Sequence, residues 1–152
     1  MQTIFSLSGL LTIPFWLLMI FLPKWRWTHR IVKSLLIVVP ALAAYTILVI
    51  PRIAQILPAV LKPELLQIAQ LLGTPEGATI GWIHFLAFDL FVGRWVFLDS
   101  RERNLNPFVM APIIFLVLML GPFGLLLYLT VRVLLRTPLP ETGGIHVASL
   151  PL

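Results

Sequence analysis

Cysteine is absent from all 152 residues. Its absence excludes disulfides, thiolate nucleophiles, cysteine-ligated metals and thioether-linked haem. Charge is scarce too: Asp, Glu, Lys and Arg make up 11% of the chain, against about 25% in an average soluble domain. No water-facing surface can be built from so few charges. A phosphate-cradling glycine loop, a dinucleotide fingerprint and a GxSxG nucleophile elbow are all missing. Of the three histidines, His29 falls in a basic stretch and His146 in the tail, so no two sit at metal-ligand spacing on one helix and no metal is expected.

Apolar residues are in excess, at 59% of the chain with a mean hydropathy of +1.00. The composition is that of an all-α integral membrane protein with a single domain. A net charge of +5 does not point to nucleic acid, because the basic residues flank apolar runs, where they orient helices and meet anionic lipid.

Crossing about 30 Å of hydrocarbon takes about 20 helical residues. Four stretches qualify, at 3–22, 34–51, 78–98 and 108–131. They predict one four-helix transmembrane domain over 1–136 and a flexible tail over 137–152. The first stretch lacks the basic start and cleavage site of a secretory signal and reads as a retained span. Residues 23–33, PKWRWTHRIVK, interleave Lys24, Arg26, Arg30 and Lys33 with Trp25 and Trp27 as an interfacial belt. PELLQIAQLL (63–72) reads as a short amphipathic helix lying at the interface.

Residues 99–107 form a hydrophilic loop, closed by Asn106 as N-cap and Pro107 as the first helical residue. Six basic residues lie in 23–33 and 99–107, against Arg52, Lys62, Arg132 and Arg136 elsewhere. This bias places both loops in the cytoplasm and both termini on the opposite side. Pro14, Pro40 and Pro122 predict kinks within spans, and Gly121 and Gly124 predict the close approach of a neighbouring helix.

The third span, GWIHFLAFDLFVGRW, carries His84, Asp89 and Arg94. A spacing of five leaves successive groups about 140° apart around a helix, so they share no face. Arg94 lies near the span's end and suits an interface anchor. His84 is shallow, beside Trp82, and suits binding or packing. Asp89 is central, where a carboxylate costs about 2.5–3.5 kcal/mol unless protonated, paired or facing a wet cavity. Tyr45 and Thr46 in the second span, and Tyr128 and Thr130 in the fourth, are polar groups able to meet them. Asp99, Arg101 and Glu102 read as a mainly solvated cluster in the third loop.

WIHFLAFDLFVGRWVFLD (82–99), followed by NPFVMAP and GPFGLLLY, resembles the abscisic acid deficient four family of plants, also called the neoxanthin synthase-like family. The resemblance is strongest over 82–132 and weaker through the PFW and LPK stretches around 14–24. It implies a small multi-spanning protein of plastid or cyanobacterial membranes, of a kind needed in plants to form neoxanthin from violaxanthin. Trp82, His84, Asp89, Leu90, Phe91 and Asp99 occupy the motif positions, with Pro122 and Gly124 in the fourth span. The chain departs from the plant pattern in lacking a transit stretch, in reading VGRW after the motif, and in its third loop. It is similar to a bacterial, cyanobacterial member of thylakoid or plasma membranes, for which the plant product does not follow.

Three functions remain open. The first is an enzyme that isomerises a carotenoid or similar polyene lipid without a redox cofactor. There Asp89 would act as acid and His84 as base, with Trp82, Phe91, Tyr45 and Asp99 at the ligand. The second is a non-catalytic carotenoid-binding or accessory subunit, in a photosynthetic membrane complex or a homo-oligomer. The third is a proton-coupled carrier that titrates at Asp89.

Overall fold

A computed structural model describes residues 1–135, and among these every regular element is helical. The tail expected over 137–152 lies outside the described residues. In chain order the helices are α1 (Gln2–Ser8), α2 (Ile13–Phe21), α3 (Arg26–Lys33), α4 (Val39–Val49), α5 (Ile53–Leu61), α6 (Leu65–Leu72), α7 (Pro75–Glu102) and α8 (Pro107–Leu134). The stretches Gln2–Phe21, Val39–Leu61, Pro75–Glu102 and Pro107–Leu134 are each long and apolar enough to cross a membrane.

The first two stretches are segmented. Backbone at Thr12 (φ −121°, ψ −34°) separates α2 from the preceding turn, and Arg52 (φ −114°, ψ 7°) separates α4 from α5. Pro14 and Pro40 each sit in the first turn of a helix rather than inside one. A first-turn N–H has no helical partner in any case, so proline there costs no hydrogen bond. The expected basic belt contains a helix, α3, whose buried Thr28 and Val32 face the bundle. The Thr28 hydroxyl donates to the Leu22 carbonyl at 2.8 Å. The amphipathic segment at 63–72 is helical as α6, and Gly77 of α7 lies against its Leu71 carbonyl.

Helix α7 is the axis of the molecule, packed against α1, α2, α3, α4, α6 and α8. Ile83, Leu90, Val96 and Phe97 are fully or almost fully buried along it. Gly93 faces the buried indole of Trp16, and a Cβ at that position would overlap the ring. Phe5 opposite Trp82 and Trp16 opposite Gly93 set the first stretch parallel to α7. Tyr45 opposite His84 and Arg52 paired with Glu76 set α4 antiparallel to it.

The last stretch does not run straight. Leu120 adopts φ −142°, ψ 57°, outside helical geometry. A Cβ on Gly124 would strike the backbone of Leu116 and Val117. In a continuous helix residues seven apart are separated by about 10.5 Å along the axis. Tyr128 and Arg132 both reach Asp99, which lies just before the α7–α8 connection. A straight α8 would carry Tyr128 about 31 Å away from Pro107. The chain therefore reverses at Leu120, and 107–119 and 121–134 form a helical hairpin. Each arm reaches about 20 Å, short of about 30 Å of hydrocarbon.

This corrects two expectations. The fourth apolar stretch is long enough to cross but doubles back, because the Leu120 break and Gly124 let its halves pack on each other. The chain also reaches Leu135 at the bundle end that holds residues 23–33 and 99–107, not at the end where it began. Arg132 joins Lys24, Arg26, Arg30, Lys33, Arg101 and Arg103 at that end, leaving Arg52 and Lys62 at the other.

The cysteine-free chain suits a labelling test. In membrane vesicles of one orientation, Leu135→Cys and Glu102→Cys should react with an impermeant maleimide from one side and Glu64→Cys from the other. Labelling of Leu135→Cys together with Glu64→Cys would refute the reversal.

A candidate functional site beneath the hairpin tip

The reversal brings Gly121 onto α7 at mid-length. A Cβ at Gly121 would overlap the carboxyl of Asp89, so the absent side chain is what lets the hairpin tip meet that group. Pro122 follows at once, and its lack of an N–H leaves one fewer orphan donor at the start of the returning arm. Among the described residues Asp89 has no hydrogen-bond or ion-pair partner.

Beneath the tip lies a cleft of about 490 Å³. Trp82, His84, Phe88 and Asp89 of α7 line it, with Met119 and Gly121 of α8 opposite. Helical spacing had set His84 and Asp89 on different faces, and the cleft takes in both because it wraps around α7. A second cavity, of about 390 Å³, lies between α4, α5, α6 and the start of α7. His84 and Phe85 border both spaces. His84 stacks on Phe88, with ring centroids 4.7 Å apart and planes inclined 24°, and meets Tyr45 at 5.4 Å. An aromatic wall thus holds the imidazole between the two cavities.

The other expected site residues divide. Tyr45 lines the second cavity, not the Asp89 cleft. Trp82 borders the cleft, 44% exposed, and also packs on Phe5 at 5.6 Å. Phe91 faces a separate hollow with Trp95 and Leu125. The Nη2 of half-buried Arg94 donates to the carbonyl of Lys33, the last residue of α3, at 2.5 Å. It ties the body of α7 to the end of α3.

Asp99 is neither in a loop nor at the cleft, because α7 continues to Glu102. Its Oδ2 accepts from the Tyr128 hydroxyl and from Arg103 Nε at 2.8 Å, and Arg132 Nε lies 3.2 Å away. Donating this hydrogen bond to Asp99 holds the Arg103 guanidinium still more firmly in its protonated form. Arg132 also lies over the Trp95 ring at 5.4 Å, and Trp95 meets fully buried Tyr128 edge-on at 5.5 Å. Asp99 is therefore the clasp that closes the hairpin onto α7. Sequence reading paired Tyr128 with no particular partner, because only the reversal brings it near Asp99. Among the described residues no group of three or more His, Asp or Glu is arranged to hold a metal.

Two mutational outcomes follow. Gly121→Ala should destabilise the purified protein by about 1–3 kcal/mol, the usual cost of overpacking, and Asp89→Ala in the same chain should recover most of the loss. Additive melting shifts would show that the two residues do not touch. Asp99→Ala should cost about 2 kcal/mol, less than the about 3–5 kcal/mol of a fully buried pair, since Arg132 is partly exposed.

A family model described as ABA4-like, ABA DEFICIENT 4-like, matches residues 3–128. No curated protein and no solved structure was found to match. The match runs from the first helix through Asp89 and the hairpin tip to Tyr128, and the chain belongs to the ABA DEFICIENT 4-like family.

Proposed function

We propose that this membrane protein binds a carotenoid or similar polyene lipid in the cleft under the hairpin tip and isomerises it there. The carrying observation is that Asp89 and His84, the ionisable groups of the cleft, share one mid-depth space walled by Trp82, Phe85 and Phe88. Flat aromatic walls suit a flat conjugated chain. A carboxyl without a protein partner is free to address a ligand oxygen.

The reaction is the conversion of an epoxide beside a polyene into an allenic alcohol. Asp89, in its neutral form, gives a proton to the epoxide oxygen as the C–O bond breaks. His84 takes a proton from the adjacent polyene carbon, and the electron pair of that C–H bond forms the new double bond. One proton enters and one leaves, so the product is an isomer and no redox cofactor takes part. About 7.5 Å of helix axis separates the two residues, so the epoxide and its adjacent polyene carbon must sit between them, where both side chains converge.

The experiment is pigment analysis of a deletion strain complemented with wild-type, Asp89→Asn or His84→Ala chains. Both variants should accumulate normally, and Asp89→Asn should lower product formation about 100-fold or more, the range of a lost general acid. A pigment profile untouched by the deletion would sink the catalytic reading. Full rescue by Asp89→Asn would remove its acid role, and a polyene that still copurified would then mark a binding protein.

A further inference from the structure

Helix α3 is fixed on its inner side and unsatisfied on its outer one. Inside, Val32 is fully buried, Thr28 bonds to Leu22, and the Lys33 carbonyl receives Arg94. Outside, Arg26 and Arg30 sit one helical turn apart, each with its guanidinium carbon 5.5 Å from the centroid of the same Trp27 ring. These three residues alone line a hollow of about 320 Å³. Ion pairs among the described residues engage Arg52, Arg103 and Arg132, and none reaches Arg26 or Arg30.

Two like charges at i and i+4 destabilise a helix unless an anion lies between them. A phosphate diester matches that need, because each guanidinium offers it a planar, two-donor fork. The surroundings decide its source. Trp25 and Trp27 are 48% and 41% exposed, and Leu35 and Leu36 beyond the helix are 58% and 73% exposed. Outward indoles next to outward leucines mark the boundary between headgroups and hydrocarbon. A phosphate held at that level arrives attached to acyl chains.

We propose that Arg26, Trp27 and Arg30 form a headgroup site for one anionic phospholipid, whose chains run down the adjoining apolar surface. The site is separate from the cleft at Asp89 and does not depend on the function assigned to that cleft.

Native mass spectrometry of the delipidated full chain, titrated with phosphatidylglycerol or phosphatidylcholine, tests this. The wild type should hold one phosphatidylglycerol more tightly than phosphatidylcholine. Arg26→Gln with Arg30→Gln should weaken it about tenfold or more. Arg26→Lys with Arg30→Lys should do nearly the same, because lysine keeps the charge but loses the fork. Lys24→Gln with Lys33→Gln, which removes as much charge from the same region, should cost less than about threefold. Lys24, Arg26, Arg30 and Lys33 are all exposed, and circular dichroism checks that each variant is folded. Wild-type affinity in the double lysine variant, or equal losses in the two glutamine pairs, would reduce the site to general surface charge and overturn the proposal. Displacement of the lipid by millimolar inorganic phosphate would also overturn it, by showing a free-anion site.

Discussion

A helix that turns back inside hydrocarbon leaves backbone groups with no water to bond. Each helix end releases up to about four N–H or C=O groups, and each left bare in lipid costs several kcal/mol. The reversal at Leu120 creates two such ends at one point. The local sequence reduces the problem. Pro122 contributes no N–H, Gly124 lets the arms close together, and Gly121 lets the tip press on α7. What it presses on is Asp89. What admits the carboxyl is the missing side chain of Gly121, since a Cβ there would overlap it. The deep acid and the helix break are thus parts of one arrangement.

Polar ties elsewhere gather at the two ends of the bundle. At the loop end, Arg101 donates to the Pro23 carbonyl at 2.8 Å, Arg94 to Lys33, and three donors converge on Asp99. At the other end Arg52 pairs with Glu76, in the first turn of α7. Between them contact is almost wholly apolar, with Trp16 seated in the space that Gly93 leaves. In lipid, apolar contacts lack the solvent-driven term that holds a soluble core, so close packing and end ties carry more of the specificity. The Asp99 clasp matters most, because it holds the returning arm that would otherwise be free to extend.

Hydropathy made the apolar stretches legible, since length and composition are all that spanning capacity needs. It could not reveal the reversal. A soluble chain marks a turn with polar residues, whereas GPFG sits in a run that stays apolar whether the chain continues or folds back. Gly121 and Gly124 did signal close approach, but the neighbour of Gly124 proved to be its own hairpin. Asp99 was assigned to a loop because charge usually marks one, and two of its three partners lie 29 and 33 residues further on, beyond the reach of local spacing. Helix α3 was legible only as a basic, aromatic belt, although Thr28 and Val32 are four apart on its inner face. The sequence singled out Asp89 and His84 as unusual groups but gave them no shared space.

That shared space follows from the depth of the hairpin. The tip meets α7 at Asp89, so the hairpin covers the half of α7 from Asp89 to Glu102, while α1, α4 and α6 pack on the half that begins at Pro75. One flank of that first half, below the tip, is left to the cleft. The cleft opens sideways, where Phe85, Phe88 and Met119 on its rim are exposed. Asp89 stands at the boundary where cover ends, and His84 lies about 7.5 Å nearer the other end of the bundle. The carboxyl and the imidazole therefore reach the same cleft from different depths. Separation around the helix, which argued against joint action, is bridged by a cleft that extends from Trp82 to Val92. Had α8 continued straight, its second half would have run on past Asp89 beside the half of α7 that carries the cleft.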